Sequence, residues 1–210
     1  ILTGCNDGQA RFWRISDGIQ IGESLVHDNA VFPVVISPDG KLAATGCVDG
    51  RVTLWHVGDR KTPKAVFSNR GIVYGLAFSP DGQHLLSASS DRAARIWKVD
   101  DVDPLVRTLE HPSSSTGCGW SPDGRTIVTS CADGQVRLWD VATGAKIGPP
   151  VKHPQGAPRP ASGSPSQLEL WAEVATGMQM SHSGAVVTMD IATWLDKQQK
   201  LLQLDSHPVP

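Results

Sequence analysis

The chain has 210 residues, and 19 Lys+Arg nearly cancel 21 Asp+Glu for a net charge of −2, which argues against a strongly basic nucleic-acid binder. Hydrophobic residues make up 40%, enough for a globular core and too many for a wholly disordered chain, yet no apolar run approaches the roughly 20 residues of a membrane-spanning helix. With 21 Gly and 15 Pro, turns are plentiful and a mostly helical protein is disfavoured.

A repeat organises most of the chain. Trp13, Trp55, Trp97 and Trp139 stand 42 residues apart. Ser-Pro-Asp-Gly recurs with the same step at 37–40, 79–82 and 121–124. Asp7, Asp49, Asp91 and Asp133 keep it, as do Thr3, Thr45, Ser87 and Thr129. His27, His111 and His153 fall on it too, with Asn69 in the remaining place. Shared register without insertion or deletion marks an internal repeat.

In chain order, the first segment enters the repeat part-way, with Thr3, the turn Asp7-Gly8, and Trp13. The run 31–36 (Val-Phe-Pro-Val-Val-Ile) reads as a strand, followed by the turn Ser37-Pro38-Asp39-Gly40. Pro suits the second position of a type I turn, and Gly accepts positive φ after it. Residues 41–45 form the next apolar run, Asp49-Gly50 a tight hairpin, and 51–55 (Arg-Val-Thr-Leu-Trp) an alternating strand. A further strand follows each Trp, as at 105–109. The later repeats give 126–130, Asp133-Gly134 and 135–139, while Asp91-Arg92 departs from the Asp-Gly pair. Four antiparallel strands per 42 residues make one blade of a β-propeller.

These residues resemble the tryptophan–aspartate (WD) repeat family over roughly 1–153. The Trp-Asp pair itself is intact at Trp139-Asp140, while Trp13-Arg14, Trp55-His56 and Trp97-Lys98 vary it. The resemblance implies a hydrogen-bonded tetrad in each blade, relaying from Trp through Ser or Thr and His to Asp. The sets are His27, Thr45, Asp49 and Trp55, and His111, Thr129, Asp133 and Trp139. Ser87, Asp91 and Trp97 have Asn69 in the His place, which leaves that network open. Thr3, Asp7 and Trp13 belong to the first blade. A Ser/His/Asp combination copied in every repeat is architecture; a nucleophile site needs one exposed constellation with an oxyanion hole.

The resemblance also implies a partner-binding face. Its positions are the start of each innermost strand, Ala30, Phe32, Ile72, Tyr74, Ser114 and Thr116, and the residue before each turn Asp, Asn6, Val48, Ser90 and Ala132. Phe32 and Tyr74 fall on adjacent blades, and exposed aromatics are typical anchors.

Cys5, Cys47 and Cys131 share the register with Ser89, while Cys118 lies on a different strand. All four are expected to be buried, reduced and outside any metal site, because no C-x-x-C spacing occurs. No H-E-x-x-H, Walker loop, dinucleotide fingerprint or Gly-x-Ser-x-Gly appears.

Residues 154–165, with four Pro and two Gly, read as a linker. The tail 166–210 reads as mainly helical. Ser164, Pro165 and Gln167 cap one helix that ends at Gly177, 184–189 forms a short strand, and Asp190 caps a second helix to about Leu204. Residues 168–177 (Leu-Glu-Leu-Trp-Ala-Glu-Val-Ala-Thr-Gly), Gly184-Ala185-Val186 and Thr193-Trp194 resemble the segment closing WD-repeat regions of planctomycete-type bacterial serine/threonine protein kinases.

The expected fold is therefore an all-β partial propeller of about three and two-thirds blades, 153 residues at 42 each, with a short helical tail. Rings need at least about four blades. The chain opens at Ile1 within a repeat, and its methionines are Met178, Met180 and Met189. A fragment, with the ring completed by upstream sequence, is the expectation. The expected function is a non-catalytic protein–protein interaction scaffold from a bacterial cytoplasm, with protein partners, no cofactor, no nucleic acid and no membrane segment evident in this chain. The alternative is the regulatory or docking region of a bacterial serine/threonine kinase whose catalytic domain lies upstream.

Overall fold

Each repeat folds as an antiparallel meander. A computed structural model describes residues 1–101 and 103–152, together with the backbone of 178–180 and 186–188. Strands β1 (Leu2–Gly4), β2 (Gln9–Phe12) and β3 (Leu25–Val26) make the first sheet. The second holds β4 (Val31–Ile36), β5 (Leu42–Cys47), β6 (Arg51–His56) and β7 (Pro63–Ser68). The third holds β8 (Val73–Phe78), β9 (His84–Ser89), β10 (Ala93–Lys98) and β11 (Leu105–Glu110). The fourth holds β12 (Ser115–Trp120), β13 (Thr126–Cys131), β14 (Gln135–Asp140) and β15 (Val151–Lys152). The architecture is all-β, with no helix among the described residues.

The turns follow from their side chains. Gly40 N–H donates to Ser37 O at 2.9 Å, and Ser37 Oγ donates to Asp39 Oδ1 at 2.6 Å. Asp39 Oδ1 accepts the Lys41 N–H, and Ser37 Oγ accepts the Leu42 N–H. Ser79 with Asp81 and Ser121 with Asp123 repeat the Ser-to-Asp bond. Donation from Ser, then from the backbone, holds the Asp39, Asp81 and Asp123 carboxyls below their ordinary pKa. At the tight hairpins, Gly8, Gly50 and Gly134 take positive φ; Arg92 must take φ 69° at the same place.

Both faces of an inner sheet are buried, so the core is a set of layers between blades. Leu25, Phe12 and Val31 pack with Ala43, Cys47 and Trp55 between the first two sheets. Val52, Leu54 and Phe67 meet Val73, Leu85 and Trp97 between the second and third, where Phe67 stacks on Trp97 at 5.1 Å. Leu86, Ile96 and Leu109 meet Ile127 and Trp139 between the third and fourth. Each such side chain contributes about 1.5–3 kcal/mol of burial, and neighbours supply it pairwise. Two arginines stitch the seams. Arg60 stacks over Phe12 and reaches Ile21 O, while Arg107 donates to Thr143 O and Ala142 O.

One expectation is corrected and others find no footing here. Cys47 and Cys131 are buried, but Cys5 is exposed and Cys118 is half-buried. Val31 and Ser115 of the innermost strands pair with Cys47 and Cys131, and the first sheet has no such strand beside β1. The two predicted tail helices and the 154–165 linker lie outside the described residues. Within the 184–189 run, β17 (Val186–Thr188) pairs with β16 (Met178–Met180), a strand that the sequence reading did not assign.

Candidate functional site: the relay columns and the bulged strand face

Thr and Ser of the register sit on the second strand of each blade, cross-strand from position 11, 53, 95 or 137. Trp139 Nε1 donates to Thr129 Oγ1 at 2.8 Å, and His111 Nε2 lies 2.8 Å from the same oxygen. His111 Nδ1 is 2.9 Å from Leu109 O. A carbonyl only accepts, so Nδ1 carries the proton and Nε2 accepts from the Thr129 hydroxyl. The order is thus Trp to Thr to His to backbone carbonyl. Trp55, Thr45, His27 and Leu25 O repeat it at 3.0, 2.8 and 3.1 Å. Burial lowers the pKa of both histidines, which keeps them neutral as the relay requires. In the first blade Trp13 Nε1 donates to Thr3 Oγ1 at 2.7 Å.

Asn69 completes the blade whose network the sequence left open. Trp97 Nε1 donates to Ser87 Oγ at 2.8 Å, and Ser87 Oγ donates to Asn69 Oδ1 at 3.1 Å. Arg95 then bridges Asn69 Oδ1 at 2.9 Å and Asp91 Oδ2 at 2.7 Å. Asn69 Nδ2 donates to Gly50 O.

The aspartates stand apart from the histidine side chains. Asp133 accepts the Gln135 N–H at 3.0 Å and a two-pronged contact from Arg137, at 2.6 and 3.3 Å. Asp7 takes the Gln9 N–H and Arg11 likewise. Asp49 takes the Arg51 N–H and Asn29 Nδ2. His Nδ1 is committed to a carbonyl, so the carboxylate closes the hairpin and pairs with arginine. The Arg137 guanidinium pushes Asp133 down to about 2. Sequence reasoning missed this arginine column, although Arg11, Arg95 and Arg137 keep the 42-residue step, with Thr53 in the fourth place.

The second group of positions forms a face. Val48 N–H donates to Ala30 O, Ser90 N–H to Ile72 O, and Ala132 N–H to Ser114 O, so each pre-Asp residue abuts the start of its innermost strand. Ser114 Oγ donates to Ser90 O across a seam. The ladder of each innermost strand shifts between Val31 and Val34, Val73 and Gly75, and Ser115 and Gly117. Such bulges re-aim a side chain. Phe32, Tyr74 and Thr116 sit in them and are exposed, Phe32 at 52% and Tyr74 at 44%. Asn6 and Ala132 are exposed, while Ala30, Val48, Ile72, Ser90 and Ser114 are half-buried.

The family model for WD domain, G-beta repeat, matches residues 23–56, 61–98 and 103–140. The chain belongs to the WD40 repeat family. Each matched WD40 stretch ends one residue past its register Trp, at His56, Lys98 or Asp140. No curated protein matches the sequence. WD40 repeats point to a protein-interaction scaffold and are generally non-catalytic. Among the described residues no helix is long and apolar enough to cross a membrane, and no group of three or more His, Cys, Asp or Glu is arranged to hold a metal ion.

Proposed function

We propose that this chain is a bacterial protein–protein interaction scaffold that binds a polypeptide partner through the bulged face of its innermost strands. The exposure of Phe32 and Tyr74 carries the reading: two large aromatics occupy one register position on neighbouring blades and point to solvent. Anchors of this kind supply most of the affinity of an interface. Ala30, Ile72 and Val48 frame them with half-buried apolar surface, and Ser90 and Asn6 add polar surface beside it. The relay columns are architecture that fixes the blades beneath this face.

The test is a photo-reactive residue at position 32 in cells of the source organism. A discrete polypeptide adduct is expected, lost on Tyr74→Ala, and missing when the probe sits at exposed Val106 on an outer strand. Identical adducts at 32 and 106 would overturn the reading. A second reading rests on the likeness of residues 168–177 to tails of bacterial serine/threonine kinases: the same face then docks substrates or regulators of an upstream kinase domain. An Asp-Phe-Gly motif in the upstream coding sequence decides for it, and uninterrupted repeats back to Met decide against it.

A further inference from the structure

Three blades hold a guanidinium from four residues further on against the turn Asp, and the second has no arginine at that position. Arg11, Arg95 and Arg137 each pair with the Asp four residues before, at 2.5, 2.7 and 2.6 Å. Position 53 is the equivalent, cross-strand from Thr45 as Arg137 is from Thr129. There the residue is Thr. A cavity of about 280 Å³ opens at this place, floored by Thr53, Cys47 and Trp55 and walled by Asp28 and Asp49. Val26, Pro63 and Val66 form an apolar lip, and Val26 and Val66 are exposed. The volume falls just below the range of ligand pockets, about 300–1,000 Å³, and suits one long side chain.

The polar groups around it are unfinished. Thr53 is only 5% exposed and lines the cavity. Its hydroxyl makes no side-chain hydrogen bond among the described residues, yet it is not sealed from solvent, so it opens to the cavity. Asp49 accepts the Arg51 N–H and Asn29 Nδ2, which leaves lone pairs free on a group that offers about four. Arg51 does not replace the missing arginine. It lies two residues earlier, is 57% exposed, bonds Asp28 at 2.9 Å, and comes only to 3.6 Å of Asp49. Arg137 at the filled position is 6% exposed. Two carboxylates and one guanidinium leave the rim with one net negative charge, and His27 adds none because its Nε2 accepts from Thr45. The flat indole of Trp55 on the floor is a surface on which a guanidinium stacks.

We propose that this cavity between the first and second blades receives an arginine side chain from a partner polypeptide, which takes the place that Arg11, Arg95 and Arg137 fill from within. The fork would pair with Asp49, its remaining N–H groups would meet Thr53 and Asp28, and its methylenes would cover Val26 and Val66. The site is distinct from the Phe32–Tyr74 face and does not depend on it.

The probe is N-acetyl-arginine amide titrated into the full 210-residue chain, followed by the Trp55 indole and Thr53 amide signals in proton–nitrogen spectra. Saturable shifts at these two groups are expected. The lysine analogue, a point charge without the fork, should bind about tenfold more weakly, and the neutral citrulline analogue at least as poorly. Thr53→Arg should abolish the shifts while leaving the urea midpoint unchanged or higher, because the chain then supplies its own guanidinium. Asp49→Asn provides a second variant should Thr53→Arg fold poorly, with binding weakened about tenfold. Absence of saturation, an equal response to citrulline, or an unchanged response in a folded Thr53→Arg or Asp49→Asn protein overturns the proposal.

Discussion

Replacing Thr129 by Val removes one oxygen and keeps the shape. That oxygen accepts from Trp139 Nε1 and donates to His111 Nε2, both at 2.8 Å, in a site where Thr129 is fully buried. Trp139 and His111 are themselves buried, so neither finds water in its place. An orphaned buried polar group costs about 1–3 kcal/mol, and two are created. Sparing the hydroxyl its own desolvation returns about 1 kcal/mol. The net loss is on the order of 1–5 kcal/mol, which corresponds to about 2–20 °C in melting midpoint for a domain of this size. Thr129→Ser keeps the oxygen and loses a methyl, a change of about 1 kcal/mol. Urea unfolding followed by tryptophan fluorescence would compare the three proteins. If Thr129→Val is no less stable than Thr129→Ser, the hydroxyl does not carry the relay and the geometric argument fails.

Three further outcomes follow from the same contacts. His27 and His111 have folded pKa values below the ordinary 6.5, so the unfolded chain binds more protons in that window, and stability falls as pH drops below about 6.5 and levels off beneath the folded values. His27→Asn with His111→Asn, the residue that the third blade uses, should flatten the change in urea midpoint between pH 7.5 and 5.5. Asp133 titrates at about 2 in the folded chain against 3.8, so its contribution is present above about pH 4 and lost as pH falls toward 2; Asp133→Ala should remove that acid limb and cost about 1–3 kcal/mol at neutral pH. Arg92→Gly should raise stability by about 0.5–1 kcal/mol, since φ 69° costs a side-chain-bearing residue more than glycine's extra unfolded freedom, and a lower urea midpoint would refute the strain.

Much of this fold was written in the chain because each blade repeats the same chemical signals. Ser-Pro-Asp-Gly fixes one turn through Ser37 Oγ and Asp39, Asp-Gly fixes the next, and alternation at 51–55 fixes which side chains face each neighbour. The Trp–Thr pairing was legible from spacing, because ten residues around a hairpin bring Thr45 and Trp55 onto one side. The destination of Asp49 and Asp133 was not. Whether a carboxylate meets an imidazole or a guanidinium depends on which carbonyl already holds Nδ1, a detail of loop geometry that no spacing encodes. The arginine column was present in the letters, but charged residues at a half-polar strand position look like ordinary solvated surface. The bulges that turn Phe32 and Tyr74 outward were equally silent, since alternation alone would assign one of their two faces to the core.

The repeat lets the chain serve as its own control, because each position is read several times against nearly the same backbone. Departures can then be sorted by whether the structure repairs them. Asn69 for His is repaired: its carbonyl takes the Ser87 proton and gains Arg95 as a second donor, so the Trp97 column stays complete. Arg92 for Gly is tolerated at the cost of a strained φ. Thr53 for Arg is not repaired. Nothing within the second blade fills the vacated volume, and the Thr53 hydroxyl faces the cavity where Arg137 fills the equivalent place in the fourth blade. Leaving a cavity in a packed seam forfeits contacts unless something else occupies the space. Cys47→Ser, which adds another polar group to the same floor, should therefore cost more stability in the unliganded chain than in the presence of saturating N-acetyl-arginine amide, whereas an unfilled structural defect would show the same loss in both.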